Sequence, residues 1–169
     1  MSPSKTIIQQ ILDGTDGLLN GNNVSIFRNR FQYLKAKSTH IDILYKDILQ
    51  KVFNSSIVGA NVFVDKLGGN AGELGLRVGD TRDYFGVINV GDDSGLFKVC
   101  KKAGLNTDDK DFSSSLFKSI NDKTSTINVL IGSKKFTEGW SSWRVSTMGL
   151  MNIGKGEGSQ IIQLFGRGV

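Results

Sequence analysis

The sequence predicts an α/β domain, a parallel sheet flanked by helices and elaborated by a β-hairpin, and three observations carry that expectation. Ile41, Leu44, Tyr45, Ile48, Leu49 and Val52 recur at helical spacing and mark one face of a helix as core. Short β-type runs then follow one another, separated by Gly- and Asp-rich turns. In the C-terminal half, segments with helical patterning alternate with the apolar run Ile127 to Ile131. Strands separated by helices pair in parallel, and such sheets gather their sites beyond the carboxyl ends of the strands.

Taken in order, Ser4 to Leu12 patterns as a short helix. Asp13-Gly14-Thr15-Asp16-Gly17 and Asn20-Gly21-Asn22-Asn23 are turn-forming clusters, so residues 1–37 are expected to be largely irregular. Thr39 with Asp42 three residues on resembles a capping box for the helix that follows. Asn61 to Val64, Glu73 to Val78 and Tyr84 to Val90 read as strands, with Gly79 to Asp83 closing a hairpin. Ser94 to Ala103 and Phe112 to Ile120 read as helices. Ile127 to Ile131 reads as a strand buried on both faces, and Val145 to Leu150 as a further strand.

The bulk numbers suit a single domain spanning 1–169. A chain of 169 residues, 38% hydrophobic and 22% charged, has ordinary globular composition. A net charge of +5 favours a polyanionic partner without requiring one. The single cysteine, Cys100, excludes an internal disulfide, and its apolar neighbours mark it as a buried thiol, which fits a reducing cytoplasm. No apolar run approaches a membrane span, so a soluble cytoplasmic protein with no membrane partner is expected.

Chemistry concentrates after Asn128. The strand Val129-Leu130-Ile131 runs into a loop carrying Thr137-Glu138-Gly139-Trp140, and a Gly-rich stretch, Gly154 to Gly158, leads to a short helix that ends in Gln163-Leu-Phe-Gly166-Arg167-Gly168-Val169. This order resembles motifs V and VI of superfamily 2 helicases of the DEAD/DEAH-box type, especially the restriction subunits of type III restriction enzymes. Motif VI there reads Gln-x-x-Gly-Arg-x-x-Arg. Gln163, Gly166 and Arg167 match it, while its last arginine would fall just after Val169. The resemblance is specific over about the last forty residues and reaches only weakly back through Gly72 to Asp92.

The resemblance implies a C-terminal RecA-like domain, truncated at both ends, that closes over ATP and Mg²⁺ bound mainly on a preceding motor domain. Arg167 would then be catalytic, aimed at the γ-phosphate, with Gln163, Gly166, Glu138 and Gly139 also at the nucleotide. A bidentate guanidinium between two glycines suits that task. Thr137 and Gly139, flanked by Lys134, Lys135 and Arg144, would meet the nucleic-acid backbone, with double-stranded DNA as the expected partner. A nuclease or modification subunit is a further partner the family admits.

Each residue also has a plainer reading. The plainer reading of Arg167, less favoured than the phosphate role, is an exposed charge at a helix end. Thr137 is a turn or cap residue, and Lys134, Lys135 and Arg144 are a solvated basic face. Trp140 and Trp143 are more often packed than stacked on bases. Gly149 to Gly156 has the spacing of a phosphate-binding loop but lacks its final hydroxyl and is bulky inside. Asp92-Asp93 suits a helix cap, at Asp93 or Ser94, better than Mg²⁺, and His40 has no nearby cysteine or second histidine to share a metal. With neither a phosphate-binding loop nor an Asp-Glu box, the chain alone should not hydrolyse ATP. The alternative function is a non-catalytic α/β module that binds nucleic acid or protein.

Overall fold

In the computed structural model, which describes residues 4–37, 40–68, 72–79, 81–110, 114–132 and 142–149, the chain divides into two compact units, residues 1–62 and 63–169. The first unit is helical. Helix α1 spans Lys5–Asp13, α2 Gln32–Lys37 and α3 Ile41–Phe53. Gly14 closes α1 in a left-handed conformation at φ 71°. The turn clusters that follow are organised by two side chains. Asp16 accepts from the Leu18 N–H (2.8 Å) and the Ser25 hydroxyl (2.6 Å), and Asn20 accepts from the N–H groups of Asn22 (2.9 Å) and Val24 (3.1 Å).

Helix α3 buries Leu44, Tyr45 and Leu49, with Ile41, Ile48 and Val52 half-buried beside them, which is the face its spacing marks. The helix starts differently from the expected capping box. His40 is its N-cap and makes no side-chain cap bond, while the Asp42 carboxylate is engaged by Lys5 of α1. Thr39 lies outside the described residues. A second ion pair, Lys35 Nζ to Asp13 Oδ1 at 3.0 Å, links α2 to α1. Helix α2 has no sequence counterpart in the expected irregular stretch.

The second unit is the α/β part, built on β1 (Val62–Leu67), β2 (Glu73–Val78), β3 (Tyr84–Asn89), helix α4 (Asp93–Lys102), β4 (Asn106–Lys110) and β5 (Val129–Gly132). The sheet order is β4-β1-β2-β3-β5. β1 and β4 run parallel with Asp65 opposite Asp108, and β3 and β5 run parallel with Asn89 opposite Gly132. β2 and β3 form the expected antiparallel hairpin, with a register shift between Leu76 and Arg77. The sheet is therefore mixed, because the hairpin strand β2 is inserted between β1 and β3. The fold class is α/β, compatible with a RecA-like domain.

Successive side chains on a strand point to opposite faces. Lys66, whose ammonium donates to Ser94 at 3.0 Å, belongs to the face that α4 covers. α4 is capped by Asp92, which accepts from the Gly95 N–H at 2.8 Å, so the carboxylate pair does cap the helix but from Asp92 and not from Asp93 or Ser94. On the opposite face Val87, fully buried, packs with Ile120, Ile127, Leu116, Leu130 and Tyr84. Cys100 is a buried free thiol.

Three expectations are corrected, and one strand is found that the sequence reading did not contain. Within Phe112 to Ile120 the described part is no α-helix but a turn and a 3-10 segment, Lys118–Asn121. Its amides go elsewhere: Glu73 accepts from the N–H groups of Leu116 (3.0 Å) and Phe117 (3.4 Å), and the Ser115 hydroxyl accepts from the Lys118 N–H (3.1 Å). Side chains that capture amides compete with the helical ladder. β5 is not buried on both faces, since it ends the described sheet and leaves Ile131 47% exposed. Residues 145–149 form no strand, having no ladder partner among the described residues, and Leu150 lies outside them. β4, Asn106-Thr107-Asp108-Asp109-Lys110, is a strand that its composition argues against. Parallel pairing with β1 supplies what propensity lacks.

Among the described residues, no helix is long and apolar enough to cross a membrane.

Candidate functional site

Charged residues on a sheet face are expensive to bury unless they meet partners. The second unit buries three of them on two adjacent strands, Asp65 on β1 with Glu73 and Arg77 on β2, and it is the pair Asp65 and Arg77 that builds a site. Arg77 Nε donates to Asp65 Oδ2 at 2.6 Å, and its Nη1 donates to the Gly79 carbonyl. Its Nη2 stands 3.5 Å from Asp108 Oδ2 on β4, and its guanidinium lies 4.3 Å from the centre of the Phe63 ring. Contacts in four directions fix the guanidinium.

Tyr84 completes the cluster from β3. Its hydroxyl donates to Asp65 Oδ2 at 3.0 Å, although β2 lies between the two strands. The ring passes over Gly75, where a Cβ would sit 2.6 Å from Tyr84 Cδ1. Glycine is required here by close approach rather than by backbone conformation. Asp65 itself is fully buried, and its Oδ1 has no hydrogen-bond partner among the described residues.

The cluster floors an open cleft of about 430 Å³ lined by Arg77, Thr81, Arg82, Tyr84, Asp108 and Lys110. Burial lowers the affinity of Arg77 for its proton, but the hydrogen bond and charge of Asp65, with help from Asp108, more than reverse this and hold it charged. Burial, reinforced by the Asp65 charge, pushes the Tyr84 phenol well up, so it stays a protonated donor at neutral pH. The Lys110 ammonium beside Asp108 holds that carboxyl below its usual range. This arrangement offers fixed donors and cations. It presents no nucleophile paired with a base, and no group of three His, Cys, Asp or Glu side chains among the described residues could hold a metal ion.

Most residues singled out from the sequence lie outside the described residues: Lys134, Lys135, Thr137, Glu138, Gly139, Gln163, Gly166 and Arg167, and with them the helix that ends in motif VI. Arg144 is described. Its Nη1 donates to the Ile120 carbonyl at 2.5 Å and its Nη2 to the Ile127 carbonyl at 2.9 Å, tying the segment to the chain that enters β5. Trp143 beside it is 90% exposed and has no packing role in the described core.

Asp65, Arg77 and Tyr84 escaped the sequence reading. The signal for two of them was present: Val62-Phe63-Val64-Asp65 and Leu74-Gly75-Leu76-Arg77-Val78 each carry one charge inside an apolar strand. Neighbouring strands that each bury one charge of opposite sign form a pair. No family model matches this chain, and neither the curated proteins nor the solved structures give a match.

Proposed function

We propose that the chain is the second motor domain of a superfamily 2 helicase or translocase, acting on double-stranded DNA and coupled to ATP held on a preceding RecA-like domain. The observation that carries this reading is the parallel β3 and β5 pair, in which β5 ends at Gly132 and hands the chain to the segment containing Thr137-Glu138-Gly139-Trp140. Loops beyond the carboxyl ends of parallel strands are where α/β sheets gather ligand-binding groups. A motif V loop requires that location.

In this reading Thr137 and Gly139 offer a hydroxyl and an amide to the nucleic-acid backbone, with Lys134 and Lys135 adding charge. Arg167 neutralises charge that develops on the γ-phosphate, an effect worth roughly 10³ to 10⁵ in rate, and Gln163 holds the nucleotide side of the interface. In this reading Mg²⁺ and most of the phosphate contacts belong to the preceding domain.

The experiment compares DNA-stimulated ATP hydrolysis by the intact motor with and without Arg167→Ala. Loss of hydrolysis with retained DNA binding supports the proposal. Unchanged hydrolysis returns the chain to the alternative, a binding module without motor function.

A further inference from the structure

Arg77 carries more donors than its neighbours occupy. A guanidinium has five N–H groups in a rigid fork. Asp65, the Gly79 carbonyl and Asp108 engage one each. Arg77 is only 7% exposed, and its guanidinium lines the cleft. Two N–H groups remain, and the guanidinium faces the open cleft, where an acceptor reaches them from solvent.

The rim adds cations. Arg82 is exposed and has no ion pair among the described residues, and Lys110 sits across the cleft with Asp108. Three cations, Arg77, Arg82 and Lys110, thus meet two carboxylates, Asp65 behind the floor and Asp108 in the wall. An acceptor that takes several N–H donors and balances the excess is an oxyanion. A buried ion pair is also weak evidence for stability alone, since its desolvation offsets most of its attraction. Pre-setting Arg77 through Asp65, Phe63 and Gly79 is an arrangement that binding rewards, because no side-chain order is lost when the ligand arrives.

We propose that this cleft binds a phosphate group, with Arg77 and Arg82 as its principal donors. The phosphate belongs to a nucleic-acid strand or to a small phosphate ester. This goes beyond the motor reading and uses none of its residues.

The test titrates the chain with a labelled single-stranded oligonucleotide and separately with inorganic phosphate, for wild type and for Arg82→Gln, whose exposed position leaves folding intact. Both ligands binding, each about tenfold more weakly in the variant, establishes the site for free and esterified phosphate alike. Oligonucleotide binding alone, weakened likewise and with a salt slope shallower by about 0.7, assigns it to the nucleic-acid backbone. Equal binding by wild type and variant, or binding of neither ligand, overturns the proposal. Hydrolysis lost in Arg167→Ala while Arg82→Gln binds normally would overturn this site and leave the motor reading standing.

Discussion

The Tyr84 hydroxyl reaches across an intervening strand to donate to Asp65 at 3.0 Å, and it does so because Gly75 on that strand has no side chain. Three strands are thereby joined through one carboxylate oxygen, since Arg77 donates to the same Asp65 Oδ2.

Gly75→Ala tests that passage. Alanine ordinarily improves a strand relative to glycine. Here its Cβ would collide with the Tyr84 ring, which is held by Asp65 on one side and by Val87 and its neighbours on the other. The expected outcome is a loss of about 1 to 3 kcal/mol in urea denaturation, the cost of overpacking, whereas a neutral or stabilising substitution would show that the ring moves freely.

Asp65→Asn leaves Arg77 charged and buried with only the half-exposed Asp108, 3.5 Å away, as counterion. Removing one member of a buried pair costs about 3 to 5 kcal/mol. Arg77→Met with Asp65→Leu, which removes both charges together, should recover most of that loss. A double variant no better than the single one would mean that the pair is held by something other than mutual charge compensation.

The Tyr84 phenol gives a pH signature. Its native affinity for the proton lies above that of the unfolded chain, so its stabilising contribution is complete below about pH 10, the unfolded value, and declines as pH rises from there toward the native one. Denaturation midpoints from pH 8 to 11.5 should fall more steeply for the wild type than for Tyr84→Phe. Parallel curves would remove Tyr84 from the alkaline transition.

Glu73 holds the segment that a sequence reading makes a helix. Its carboxylate accepts from the Ser115 hydroxyl (2.6 Å) and from the Leu116 and Phe117 amides. Glu73→Gln turns an NH2 toward one of those donors, and the expected loss is about 1 to 3 kcal/mol with amide exchange accelerating at residues 116 and 117. Unchanged exchange there would show that the turn is held by its own backbone.

What the sequence exposed, and what it hid, divides along physical lines. The hairpin, α3, α4 and the β5 strand announce themselves through local periodicity and turn residues, so each is found within a residue or two. β4 is invisible to that approach because Asn106 to Lys110 is acidic and polar, and only β1 beside it makes it a strand. The turn at 115–118 is hidden for the same reason, as its amides are claimed by Glu73 more than forty residues earlier in the chain. The Asp65 and Arg77 site is hidden most deeply, since a charge within a strand pattern reads as a solvent-facing residue until its partner is known. Arg144, read from sequence as a phosphate contact, also gives one N–H from each terminal nitrogen to a carbonyl of its own chain, a role no local pattern announces.

The proposed role of this chain in completing an ATP-driven motor is decided by measuring ATP hydrolysis with DNA present in three samples: the chain alone, the chain joined to a preceding motor domain, and that joined protein carrying Arg167→Ala. A second motor domain gives no turnover in the first, DNA-stimulated turnover in the second, and a loss of roughly 10³-fold or more in the third with DNA affinity retained. Turnover by the chain alone, or full activity without Arg167, would contradict it.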